Sequence, residues 1–240
     1  LDRRNIEKGE RMSRVVYILS PSYDGKVACD HALNLVSIFA RAAKERPDLD
    51  IRLHYWMYGA VIQQARNNLF CDAYENGADD IVFLDVDQCV DPQAFFDLLD
   101  HPVDVVGVTA RMKTDEERYN HRPEDDSKHT WNKDVKLLEV EYLPTGFLRL
   151  SRKAMDALWD ASPEYWDDGK KRRLICNVVI EEGGLISEDI HLCTKLKEAG
   201  FKRFLDIRYT CDHFGTKRFT GDYKTQYARY LINQFSGEQQ

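Results

Sequence analysis

The chain has 240 residues, 43% of them apolar and 31% charged, with a net charge of −7; that is enough to bury the core of one large domain or two small ones. No apolar run approaches the roughly 18 residues of a membrane span, and the negative balance gives no global case for a polyanionic partner. Six cysteines (29, 71, 89, 176, 193 and 211) show neither a CxxC pair nor a framework spacing, which points to a reduced, cytoplasmic protein rather than a disulfide scaffold.

Residues 1–14, LDRRNIEKGERMSR, are charged and lack the apolar core of a secretory signal; they are expected to form a flexible N-terminus. Val15 to Leu19 reads as a buried strand, and Ser20-Pro21-Ser22-Tyr23-Asp24-Gly25 as the loop leaving its carboxyl end. Residues 28–45 carry Leu35, Ile38, Phe39 and Ala42 at helical spacing, and Ile51 to Met57 is a second strand. Residues 61–76 form a helix with Ile62, Ala65, Leu69 and Ala73 on one face and Gly77 as its stop. Arg66 and Asn67 fall off that face; a solvated surface explains them cheaply, a contact to a diphosphate or base more sharply. Ile81 to Asp85, a short helix after Pro92 and a buried strand at Val103 to Val108 follow. Continuous apolar strands alternating with helices predict a mostly parallel α/β sheet with helices on both faces, in which ligands bind at the carboxyl ends of strands.

Beyond residue 110 the pattern changes. Residues 111–134 are dense in charge and read as an excursion; Leu137 to Tyr142 alternates like a strand; Pro144-Thr145-Gly146 is a turn before a strand at Phe147 to Leu150 and a helix from Arg152. Residues 160–186 read as irregular. Ser187 is a helix N-cap, with the helix running through Ala199 to Gly200. Phe204 to Ile207 is the last strand, and residues 222–235 form a Tyr-rich amphipathic segment.

The stretch IVFLDVDQCVDP, residues 81–92, ends a buried run on two carboxylates, Asp85 and Asp87. Carboxylates at i, i+2 beyond a strand can hold one hard cation such as Mg2+ or Mn2+, which takes one or two carboxylates and fills its other positions with water and phosphate oxygens. The plainer reading is a polar turn before a helix that starts at Asp91-Pro92. Glu188 and Asp189 sit in a first helical turn, where the macrodipole alone favours them; a general base is the functional alternative. His213, in Cys211-Asp212-His213-Phe214-Gly215, has no second Cys/His pair to complete a zinc site. Lys170, Lys171, Arg172 and Arg173 form a basic run that a solvated surface explains, or that could meet phosphates.

Taken in order, "VVYILSPSYDGKV", "QQARNNLFCDAYENGADDIVFLDVDQCVDP", "YLPTGFLRLSRKAM", "SEDIHLCTKLKEAGFK" and "DHFGTKRF" resemble nucleotide-sugar-dependent glycosyltransferases of the GT-A fold, family-2-like, of the short bacteriophage or bacterial type. The resemblance covers about residues 15–220. It implies a Rossmann-like sheet, a nucleotide-diphosphate sugar donor (a UDP-sugar favoured), and Mn2+ or Mg2+ held by Asp85, Asp87 and His213. It implies donor contacts from Pro21, Tyr23, Asp24, Arg66, Asp85, Thr145 and Gly146, and a base at Asp189 with Glu188 beside it, as in inverting members. It divides one GT-A domain into a donor half, 15–110, and an acceptor half, 111–220, followed by the 221–240 segment. The expected acceptor is a hydroxymethylated pyrimidine in phage DNA, met by Lys170 to Arg173, or a glycan, which places the protein in the host cytoplasm if phage-encoded. The rivals are a haloacid-dehalogenase-type phosphatase, disfavoured by Cys89 where a small hydroxyl residue belongs; a metal-dependent nucleotidyltransferase, which needs a Gly-rich basic loop; and a non-catalytic nucleotide-sugar or glycan-binding module.

Overall fold

The first strand, β1 (Arg14–Ser22), alternates its side chains between two cores, Val15, Tyr17 and Leu19 to one and Val16 and Ile18 to the other. That period of two is what a strand buried on both faces requires. The computed structural model describes residues 13–123, 136–181 and 183–236. Residues 1–12 of the expected N-terminal tail, 124–134 of the expected excursion and 237–240 of the expected C-terminal segment lie outside the described residues.

Helix α1 (Cys29–Glu45) leads to the parallel strand β2 (Leu49–Met57), and helix α2 (Ile62–Glu75) to β3 (Asp80–Leu84), parallel to β1 on its other side. A two-residue strand β4 (Gln88–Cys89), helix α3 (Pro92–Asp100) and strand β5 (Val105–Gly107) complete the first half. Helix α3 begins as its sequence dictates: Pro92 in the first turn, and Asp91 accepting from the Gln93 backbone N–H at 2.8 Å. The second half contributes β6 (Arg122–Pro123), β7 (Leu137–Tyr142), β8 (Phe147–Ser151), α4 (Arg152–Ala161), α5 (Glu188–Glu198), β13 (Phe204–Asp206), β14 (Asp212–Phe214), β15 (Arg218–Phe219) and α6 (Tyr223–Ser236).

The central sheet has the order β2-β1-β3-β8-β5-β13-β7-β6. Strands β2, β1, β3, β5 and β13 run one way, while β8 and β7 oppose their neighbours. Leu69, Phe70 and Ala73 of α2, with residues from α4, α5 and α6, pack on one face; Leu35, Ile38 and Ala42 of α1 and Phe95, Leu98 and Leu99 of α3 pack on the other. Phe70, Phe83, Phe95 and Phe147 are fully buried, each worth about 1.5–3 kcal/mol of transfer free energy. Among the described residues no helix is long and apolar enough to cross a membrane.

Three expectations change. Strand β1 runs on through Ser22, so Ser20 and Pro21 are strand rather than loop. Beyond Leu19 it is paired to β2 alone, an edge-like stretch where proline is tolerated. Residues 160–186 are not irregular: β9 (Glu164–Asp167) and β10 (Lys170–Arg173) form one hairpin, and β11 (Val179–Glu181) and β12 (Gly184–Ile186) another. The first hairpin turns at Asp168-Gly169, both at positive φ (45° and 72°), the pairing a two-residue primed turn demands. Finally, Asn67 and Arg66 face no solvent. Both are buried, and Asn67 clasps the backbone of Cys176, donating to its carbonyl at 3.0 Å and accepting from its N–H at 2.7 Å.

Candidate active site

The Asp85–Gln88 turn leaves the carboxyl end of β3, and its backbone is fixed on all sides. Asp85 N–H donates to the Gly146 carbonyl (2.9 Å), Gln88 N–H to the Asp85 carbonyl (3.0 Å), Ala28 N–H to the Val86 carbonyl (3.0 Å) and Phe214 N–H to the Asp87 carbonyl (2.7 Å). The segments around 28, 146 and 214 therefore meet at one turn. The Gln88 side chain is buried against Gly146, where a Cβ would come within 2.0 Å of Nε2; only glycine leaves that room. His31, fully buried on α1, shares a hydrogen bond of 3.1 Å between Nδ1 and the Gln88 carbonyl, and desolvation lowers its pKa despite that contact.

The two carboxylates take different partners. Both oxygens of Asp85 accept from Arg66 Nη2, at 3.0 and 3.1 Å. Arg66 is buried on α2, and its Nη1 donates to Glu188 Oε1. Burial works against that charge, but Asp85 and Glu188 outweigh it and hold the guanidinium pKa above its ordinary value. Asp87 instead turns outward. Its Oδ2 accepts from Lys113 Nζ at 2.5 Å and lies 3.5 Å from His213 Nε2. Burial tends to raise the Asp87 pKa; the hydrogen bonds and charges of His213 and Lys113 prevail and bring it down to about 2. His213 Nδ1 is 3.1 Å from the Arg111 carbonyl, an acceptor only, so this nitrogen is the donor of the contact and Nε2 is the nitrogen turned toward Asp87.

That is how a metal-binding imidazole is oriented, its second nitrogen donating to a carbonyl. Asp87 and His213 thus form a two-donor set; Asp85, expected as a third ligand, is committed to Arg66. Among the described residues no group of three or more His, Cys, Asp or Glu side chains could hold a metal ion. Two protein donors do not close a zinc site, but they suit Mg2+ or Mn2+ completed by water and phosphate oxygens.

Across Arg66, Ser187 has the extended backbone of an N-cap, yet its hydroxyl donates to Asp189 Oδ1 instead of capping the helix. The same oxygen accepts from the Ile190 N–H at 2.8 Å. Of the expected donor residues, Pro21 lies in β1 opposite Trp56, Tyr23 is 74% exposed beyond the strand, and Asp24 pairs with Lys26 at 2.9 Å, which lowers its pKa. Thr145 is buried beside Gly146 under the Asp85 turn.

The basic run is a solvated surface in its first half only, where Lys170 and Lys171 are exposed. Arg172 is buried and pairs with Asp72 at 2.6 Å; Arg173 donates to the Ser162 carbonyl and to Glu164; Lys171 pairs with Glu164 at 3.3 Å. Three residues escaped the sequence reading: Gln88, Lys113 and Arg111. The last two follow the carboxyl end of β5, the same sheet edge as Asp85, and that position was the available signal.

No protein-family model matches the chain, and no curated protein matches it in sequence. Among solved structures it is similar to A197 from STIV, with a TM-score of 0.51 at 16% identity over 84% of this chain and 86% of that one. It is also similar to S. aureus TarS 1-349 in complex with UDP-GlcNAc (TM-score 0.45, 12% identity, 88% of this chain). A third is a glycosyltransferase involved in the glycosylation of the major capsid of PBCV-1 (TM-score 0.31, 12% identity, 60% of this chain and 62% of that one). The chain spans 60% of the length of the TarS chain. The fold is of the GT-A type: a Rossmann-like, mostly parallel sheet with helices on both faces.

Proposed function

We propose that the protein is a metal-dependent, inverting glycosyltransferase that moves a sugar from a nucleotide-diphosphate sugar to an acceptor hydroxyl. The observation that carries this reading is the convergence of Asp87 Oδ2 and His213 Nε2, 3.5 Å apart, beside the Arg66-bound Asp85 at the carboxyl edge of the sheet. Asp87 and His213 would hold Mn2+ or Mg2+, which when bound supplies charge neutralisation for the departing diphosphate. In the transfer, the bond from the anomeric carbon to the diphosphate oxygen breaks with its electron pair on that oxygen. The acceptor oxygen bonds to the opposite face of the same carbon, and its proton passes to a carboxylate. Asp189 is the base we assign, because Glu188 is held by the Arg66 guanidinium and a carboxylate so paired is a poor proton acceptor. Tyr23, exposed beyond β1, is assigned to the nucleotide. Thr145 and Gly146, locked to the Asp85 turn, are assigned to the donor sugar.

The acceptor is assigned only as a hydroxyl. Arg172 and Arg173 are spent on Asp72, Glu164 and a carbonyl, so the cluster offers a duplex only Lys170 and Lys171. Calorimetric titration of nucleoside diphosphates and nucleotide-sugars, with and without Mn2+, followed by product analysis, tests the reading. Asp87→Ala is expected to abolish metal-dependent donor binding; Asp189→Asn is expected to keep binding and lose transfer and donor hydrolysis. Transfer that survives in Asp189→Asn removes the proposed base, and activity indifferent to chelator removes the metal. Donor binding without turnover in the wild type points to a binding module, and formation of a nucleotide-sugar from a sugar phosphate to a nucleotidyltransferase.

A further inference from the structure

Lys113 stands on a turn that has been built to present it. Arg111, buried at the end of the β5 connection, donates from Nη1 to the Met112 carbonyl (2.8 Å) and from Nη2 to the carbonyls of Thr114 (3.0 Å) and Asp115 (3.2 Å). Its own carbonyl meets His213 Nδ1. One buried guanidinium thus shapes the Lys113 turn, and the same residue's carbonyl orients the imidazole opposite. The far side of the turn is tied by Lys217 to Asp115 at 2.8 Å. The stem of Lys113 runs over Gly215, where a Cβ would lie 3.2 Å from its Cδ.

The ammonium reaches Asp87 Oδ2, the very oxygen that faces His213 Nε2. A divalent ion bridging that oxygen and that nitrogen would lie against the ammonium, and two positive charges a few ångströms apart repel strongly. Both cannot stay. Lys113 and Asp87 are each 38% exposed, so their pairing is weak enough to exchange, unlike the buried grip of Arg66 on Asp85.

We propose that Lys113 is an exchangeable counter-ion: it neutralises Asp87 in the empty protein, yields that oxygen to the divalent ion, and then neutralises the donor's diphosphate. This rests on the glycosyl-transfer reading and adds to it a residue of the Arg111 turn. The turn keeps the released ammonium at the edge of the site, where the diphosphate's remaining negative charge gathers, and no covalent step is asked of it.

The test is calorimetry on wild type, Lys113→Ala, Lys113→Arg and Asp87→Ala, with Mn2+ alone and then with the four nucleoside diphosphates and uridine at saturating Mn2+. Lys113→Ala should bind Mn2+ alone about two- to fivefold more tightly, since the competing cation is gone. It should bind the preferred nucleoside diphosphate about tenfold more weakly, and uridine no differently. Lys113→Arg should stay within about twofold of wild type in the diphosphate titration. If Lys113→Ala leaves both affinities unchanged, or weakens Mn2+ binding, while Asp87→Ala abolishes Mn2+ binding, this inference fails and the glycosyl-transfer reading stands. If the wild type binds no nucleoside diphosphate with any metal, both fail together.

Discussion

Replacing Arg66 with methionine isolates the ion-pair knot that joins α2, the β3 turn and α5. Methionine keeps most of the apolar stem and removes the guanidinium, so packing loss is small. What remains is two carboxylates, Asp85 and Glu188, stripped of their shared partner. Breaking one side of a fully buried pair costs about 3–5 kcal/mol. Here the side chains of Asp85 and Glu188 are 22% and 17% exposed against 5% for Arg66, so water recovers part of that cost. The expected loss in Arg66→Met is therefore about 2–4 kcal/mol, read from urea unfolding at pH 7 with the m-value unchanged. The triple variant Arg66→Met, Asp85→Asn, Glu188→Gln removes the orphaned charges and should regain at least half of it, because an absent pair costs less than a broken one. An Arg66→Met protein within about 0.5 kcal/mol of wild type, or a triple variant no more stable than the single, would refute the account of this knot.

Gly146→Ala drives a Cβ into the Gln88 amide; overpacking of this kind costs about 1–3 kcal/mol, and Gln88→Ala in the same chain should return most of it in urea titrations while donor affinity stays impaired. Burial pushes His121 down to about 4 from 6.5. The unfolded chain therefore takes up this proton first, and stability falls as pH drops from about 6.5 to 4, with no further loss from this group below that. His121→Gln should flatten the fall by about 2 kcal/mol between pH 7 and 4.5, measured by unfolding at both values. Arg172→Ala should cost about 2–4 kcal/mol through its buried pair with Asp72, whereas Lys170→Ala with Lys171→Ala should stay within about 0.5 kcal/mol. If duplex DNA binds, only the lysine pair should reduce the salt slope.

The strands on which the site hangs were legible because β1 and β3 are buried on both faces, which forces continuous apolar runs that no surface element needs. The ends were less so: Pro21 signals a loop by type, yet a strand flanked on one side has room for it. Residues 164–173 carried a readable Asp168-Gly169 turn signal, but their charge hides the period of two, since one face of the hairpin meets α2 through Arg172 on Asp72 and Asp167 on Asn68 rather than through apolar side chains. The same packing misleads for α2. Its polar face, Arg66, Asn67 and Asn68, is covered by the hairpin and by the Cys176 backbone, a tertiary fact with no local trace. Asp85, Asp87 and His213 could be picked out one by one, but their division of labour could not, because it depends on which cation reaches which oxygen.

That division follows from burial. A guanidinium keeps its proton at any pH the fold survives and matches a carboxylate with several N–H groups at once, so Arg66, sealed between Asp85 and Glu188, is a permanent charge. An attraction between unit charges about 3 Å apart amounts to about 5.5 kcal/mol at an effective dielectric of 20, but only about 1.4 kcal/mol in water. Asp85 lies nearer the first limit; Asp87, 38% exposed beside a lysine on a surface turn, lies nearer the second. Two like charges one residue apart are thereby made unequal, one fixed to the scaffold and one held loosely enough to change partners. Under the proposed function, the second is the one suited to a cycle that binds and releases a charged ligand at every turn. It follows that Asp85→Asn should be felt first in stability and Asp87→Asn first in the affinity for metal, and a reversal of that order would overturn the assignment.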